Sequence, residues 1–134
     1  MTNKEIVQRF NHACLAGGDA EVFEQIFHPD FVNHTTIPGM GSGIDSMRNA
    51  IFNLLHVGLS DIRVEIDDQL EEGDKVATRK RILARHTGIL AGVPATGREV
   101  EINVYDIVRL KDGRYIEHWG LNTLPLVVQS LKSA

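Results

Sequence analysis

A chain of 134 residues, 43% of them hydrophobic, has the size of one domain (residues 1–134) with a core and room for a pocket, and is too short for two. Its 14 basic and 18 acidic residues give a net charge of −4, and no Lys/Arg cluster is dense enough to neutralise a nucleic-acid backbone. One cysteine, Cys14, excludes an internal disulfide and a cysteine-rich zinc site; no apolar run approaches a membrane span or a signal-peptide core, so a cytoplasmic protein is expected.

Thr2 and Glu5 fit a capping box, and Ile6, Val7, Phe10 and Cys14 recur on one helical face, which predicts a helix from Asn3 to Ala16 stopped by Gly17-Gly18. Asp19 caps a short second helix with the apolar stripe Val22, Phe23, Ile26 and Phe27, ended by His28-Pro29. A brief extended piece, Phe31 to His34, leads into a Gly/Pro loop from Thr35 to Gly43 that could border a binding site. Asp45 then caps a third helix bearing Met47, Ile51, Leu54 and Leu55. From Asp61 the apolar period changes to two. Ile62, Val64 and Ile66 alternate with charged residues, Glu72-Gly73-Asp74 turns the chain, and Lys75 to His86 forms a second strand. Its basic residues Lys75, Arg79, Lys80, Arg81 and Arg85 divide between two faces and make no continuous stripe. After the loop Thr87 to Arg98 comes a hairpin, and Thr123-Leu124-Pro125 opens a last helix through Leu131. Helices followed by a meander of long strands predict an α+β domain, with helices on one face of a curved antiparallel sheet that encloses a cone-shaped pocket.

The hairpin, Val100 to Leu110 and Arg114 to Asn122, carries the chemistry. If Lys111-Asp112-Gly113 is a three-residue loop with Gly113 left-handed, Leu110 pairs with Arg114 and Asp106 lies opposite His118 in an apolar strip, with Val104 opposite Gly120 and Asn122 on the same face. A two-residue loop would send Asp106 and His118 to opposite faces. A buried carboxylate and imidazole shift each other's protonation, which suits acid/base work near neutral pH; the same pair can equally be a satisfied polar contact. The six histidines show no zinc spacing. The run Gly39-Met40-Gly41-Ser42-Gly43 lacks the Lys of a phosphate loop and the spacing of a nucleophile elbow.

Four strings in order, His28-Pro29-Asp30-Phe31-Val32-Asn33-His34, Glu72-Gly73-Asp74-Lys75-Val76-Ala77-Thr78-Arg79, His86-Thr87-Gly88 with Gly92-Val93-Pro94-Ala95-Thr96-Gly97-Arg98, and Asp112-Gly113-Arg114-Tyr115-Ile116-Glu117-His118-Trp119, resemble the SnoaL-like polyketide cyclases of the NTF2-like superfamily. The resemblance implies an NTF2-like cone and a cofactor-free enzyme that closes a ring by intramolecular aldol condensation of a small ester or polyketide. The position matched to the family's acid/base Asp is Gly120, and its pocket His falls on Asp106. Asp106 is therefore the candidate base and His118 its partner or the acid; replacing Asp106 by Asn is expected to abolish turnover with little effect on stability. Arg79, Asn122, His34 and Trp119 are the candidate substrate-binding residues. Arg79 or Asn122 would hold the oxyanion, unless Arg79 neutralises Asp106 and spoils it as a base. His34 would stand at the pocket mouth or on plain polar surface. No metal or cofactor is implied, and the expected partner is a small carbonyl or polyketide-like molecule. Two alternatives are a non-catalytic small-ligand-binding domain that lost the acid/base Asp, and an epoxide hydrolase-like enzyme, which would need a second acid.

The other face of the hairpin carries Tyr105, Ile107, Tyr115, Trp119 and Leu121. A sheet apolar on both faces predicts a homodimer through the outer one, unless the segment Leu124 to Leu131 folds back over it.

Overall fold

The computed structural model describes residues 1–36, 38–39 and 41–133. The loop from Thr35 to Gly43 therefore includes two positions, Ile37 and Met40, outside the described residues. Helix α1 (Asn3–Arg9) opens on the Thr2–Glu5 capping box and continues as a wider, π-wound segment through Phe10–Ala16. Asp19 caps α2 (Ala20–Ile26) by accepting from the Val22 N–H at 3.0 Å, and the chain becomes extended at Phe27 as β1 (Phe27–Asn33). Helix α3 starts at Ile44–Arg48 and continues through Asn49–Leu55 to a last turn at His56–Gly58. Its N-cap is Gly43 rather than Asp45, whose carboxylate instead pairs with Arg48 one turn on. Four long strands follow: β2 (Leu59–Glu72), β3 (Lys75–His86), β4 (Glu99–Lys111) and β5 (Arg114–Asn122). Helix α4 (Leu124–Lys132), with Pro125 in its first turn, ends the fold.

The sheet order is β1-β5-β4-β3-β2, antiparallel except for β1, which pairs parallel with β5 at the edge. The α+β class and the helix-covered curved sheet are as the periodicity predicts. Period-two burial on β3 and β4 puts Val76, Thr78, Lys80, Ile82 and Ala84, and Val100, Ile102, Val104, Asp106 and Val108, on the inner face. The core forms where these residues meet Phe10, Phe23, Phe27 and Ile51 from the helices.

The β4–β5 hairpin differs from the expected register in an instructive way. Its loop has two residues, Asp112 and Gly113, both at positive φ (53° and 74°), and Lys111 pairs with Arg114, the arrangement of a tight type I′ turn. That register alone would have separated Asp106 from His118. A bulge at Ile116 inserts one residue, so Leu110 still pairs with Tyr115 but Arg109 pairs with Glu117, and beyond it parity is restored. Asp106 lies opposite Gly120, and His118 sits diagonally from it on the same inner face. The tight loop, by pairing Tyr115 with Leu110, leaves Tyr115 inside, 1% exposed, and not in the outer set.

Candidate active site

Asp106 lies on the inner face of β4 with its side chain 6% exposed, an environment in which a carboxylate needs partners. The partner on the neighbouring strand is Lys80. Its Nζ stands 3.2 Å from Asp106 Oδ2, donates to Asn11 Oδ1 at 2.5 Å and lies 5.8 Å over the Phe10 ring. Asn11 is supplied by the π-wound part of α1 and anchored by donating to the Val7 carbonyl. Burial pushes the Asp106 carboxyl up, but the Lys80 charge and the His118 imidazole outweigh it and hold the group below the usual carboxylate range.

His118 reaches the same oxygen from β5, its Nε2 3.6 Å from Asp106 Oδ2. Its Nδ1 lies 3.0 Å from Asn33 Oδ1, an oxygen that also accepts from the Thr35 N–H; as an acceptor, that oxygen places a proton on Nδ1 and turns Nε2 to the carboxylate. The glycine at position 120 makes this reach possible. A Cβ there would stand 2.9 Å from His118 Cε1 and 3.2 Å from Nε2, so the imidazole occupies the room a side chain would fill. Where the family resemblance places an acid, this chain has a ring folded across a bare backbone.

These groups line a cavity of about 180 Å³ between the inner sheet face and α1 and α3, with Tyr115, Val104, Ile82, Ile51 and Leu54 among its walls. Two buried polar atoms have no hydrogen-bond partner among the described residues, Asp106 Oδ1 and the Tyr115 hydroxyl, and both residues line this cavity. A larger, open groove of about 550 Å³ is lined by Arg79, Tyr105, Ile107, Trp119 and Leu121 of the outer face and also borders Asp106 and Gly120. The cavity is the better chemical site, because Asp106 and Tyr115, the two residues with unpartnered buried polar atoms among the described residues, both line it against apolar walls.

Of the sequence candidates, Asp106 and His118 are brought together in the cavity and Asn122 stands at its border, exposed, with Oδ1 accepting from the Leu124 N–H to start α4. Arg79 is corrected: strand parity sends it to the exposed outer face, and Lys80, its neighbour, neutralises Asp106. His34 and Trp119 are also outside. They stack at 4.8 Å with 10° between planes, and His34 Nε2 lies 2.8 Å from Glu117 Oε2. Sequence patterning does not single out Lys80, Asn11, Asn33 or Tyr115. For Lys80 the one signal is its shared parity with Val76, Ile82 and Ala84. Among the described residues no three His, Cys, Asp or Glu side chains gather closely enough to hold a metal ion, and no helix is long and apolar enough to cross a membrane.

Residues 5–127 match the family model described as SnoaL-like polyketide cyclase. The aklanonic acid methyl ester cyclase DnrD of Streptomyces peucetius is 26% identical over 119 residues, 87% of this chain and 81% of that protein. The aklanonic acid methyl ester cyclase DauD of Streptomyces sp. (strain C5) is 27% identical over 118 residues, 85% of this chain and 71% of that protein. TsrD from Streptomyces laurentii superimposes with a TM-score of 0.83 at 27% identity, over 98% of this chain and 95% of that one.

Proposed function

The chain belongs to the SnoaL-like polyketide cyclase family, and from that premise we propose that it is a cyclase or isomerase performing side-chain acid/base chemistry on a small carbonyl compound in the cytoplasm, with Asp106 as base. One observation carries the reading. The Asp106 carboxylate, at the wall of an apolar cavity, has one oxygen held by Lys80 and His118 and the other, Oδ1, buried without a partner among the described residues. In an aldol-type closure Oδ1 takes a proton from carbon, the resulting enolate carbon bonds to a second carbonyl of the same molecule, and that carbonyl's oxygen takes the proton back. Product and substrate are isomers, and no co-reactant is consumed. His118, within ion-pair distance, shares the proton while the carbon–carbon bond forms.

Lys80 restricts the substrate. A carboxylate held below its usual range is a weak base, so it suits only an acidic C–H, such as one flanked by two carbonyls. A specific observation favours a second reading, a binding domain without catalysis: the same Lys80 charge that secures Asp106 also quenches it. Incubation with a panel of one-ring-forming β-keto esters, read by chromatography for isomeric products, separates the two. Closure by the wild type and not by Asp106→Asn supports the cyclase; ligand-induced stabilisation without product supports the binding domain.

We also propose that the chain forms a homodimer through the outer sheet face, where Leu70, Tyr105, Ile107 and Leu121 are 69%, 58%, 42% and 76% exposed.

A further inference from the structure

Tyr115 is fully enclosed, its ring packed 5.0 Å from Phe10 and 5.2 Å from Phe27, yet its hydroxyl has no partner among the described residues. A phenylalanine would fill the same space without leaving a polar atom buried and unmatched, a condition that costs stability. Tyr115 is among the residues that line the cavity, and so is Asp106, whose Oδ1 is the second buried atom without a partner among the described residues. One of these atoms is an acceptor and the other a donor. A ligand that satisfies both brings an acidic hydrogen to the first and a carbonyl oxygen to the second.

We propose that the Tyr115 hydroxyl is the oxyanion donor of this cavity, hydrogen-bonding the carbonyl oxygen of a one-ring β-dicarbonyl compound as that oxygen becomes an enolate. The assignment rests on the reading of Asp106 as base. The proton leaves carbon for Asp106 Oδ1, the electron pair moves onto the carbonyl oxygen, and the phenol O–H stays intact while it stabilises the new charge. Geometry suits the role: the tight two-residue loop pairs Tyr115 with Leu110 on the inner face, and the bulge after it brings His118 to that same face. Burial, then the charges of Asp106 and Cys14, push the phenol well above its usual range, so it remains a donor. The cavity, about 180 Å³, is close to the roughly 150 Å³ that admits a benzene ring, so a one-ring compound fits it.

The test titrates 1,3-cyclohexanedione, a one-ring β-diketone, into the wild type, Tyr115→Phe and Asp106→Asn, with the enolate followed by its ultraviolet band. Lys80→Met/Asp106→Asn serves as a charge-balanced substitute in case Asp106→Asn fails to fold. Tyr115→Phe should weaken binding about 10- to 100-fold, the range of one hydrogen bond to a charged acceptor, while the ligand-free variant melts at the wild-type temperature or above it. The Asn variants should bind the enolate more tightly, since a neutral amide stands in for the protonated base. Unchanged affinity in Tyr115→Phe overturns the donor role, as does a fall of several degrees in its ligand-free melting temperature, which would reveal an internal partner for the hydroxyl. Weakening in Tyr115→Phe with no gain in the Asn variants keeps the donor and refutes the base. A cavity that takes no diketone in any variant overturns both.

Discussion

Replacing Lys80 by Met removes a charge that the cavity is built around and leaves a side chain of similar length. Both members of the pair are buried, Lys80 at 3% and Asp106 at 6% side-chain exposure, so solvent screening offers little relief. Breaking such a pair from one side costs about 3–5 kcal/mol, because the remaining charge stays buried and uncompensated. For a chain of this length that is on the order of 10–20 °C in melting temperature. The deficit should depend on pH. Asp106 is held below its unfolded value, so its contribution is complete above that value, about 3.9, and disappears as pH falls through the lower folded one. Without Lys80, burial lifts the carboxyl, so the variant is penalised most near pH 7, where Asp106 stays charged, and the penalty eases as protonation sets in at lower pH. Denaturant unfolding at pH 7 and pH 3.5 should therefore show a large difference between wild type and Lys80→Met at the higher pH and a smaller one at the lower. Asp106→Asn should show a comparable loss at pH 7, with the double variant recovering much of it. A Lys80→Met protein within about 1 kcal/mol of wild type at pH 7 would show that the ion pair does not anchor the site.

Gly120→Ala should push the imidazole off Asp106, because the new Cβ would lie 2.9 Å from its Cε1; nitrogen NMR of His118 should change while stability falls by at most about 1 kcal/mol, and unaltered imidazole signals would contradict the packing argument. Light scattering at micromolar concentration should give twice the chain mass, reduced to one by Tyr105→Asp on the exposed outer face; a monomeric wild type would refute the interface. Ala91 holds φ at 47° in the tight turn between Leu90 and Val93, so Ala91→Gly should raise stability by up to about 1 kcal/mol; a lower melting temperature would count against strain there.

The fold was legible because its signals are local: the Thr2–Glu5 box, the Asp19 cap and the change of period at Asp61 each report on a few neighbouring residues. The site was legible in part, for one physical reason. Period two says which residues share a face only until the loop length and any bulge are known: the two-residue loop turns Tyr115 inward, and the bulge at Ile116 then restores the Asp106–His118 juxtaposition. The sequence alone points to Arg79 as the neutralising cation, one residue from Lys80; strict alternation along β3 separates the two. Expecting Asp106→Asn to leave stability intact missed that Lys80 would be left without its counter-ion. The stack of His34 on Trp119 depends on β1 pairing parallel with β5, a long-range contact that no local pattern encodes.

The central claim, that Asp106 removes a proton from carbon inside the cavity, is tested most directly by deuterium exchange at the α-carbon of a cyclic β-keto ester in deuterated buffer, followed by proton NMR. The wild type should accelerate loss of the α-proton signal, and Lys80→Met/Asp106→Asn, which balances the buried charge, should lose roughly 10²- to 10⁴-fold of that acceleration while remaining folded. Exchange by the folded double variant at the wild-type rate would contradict the account and place the base elsewhere.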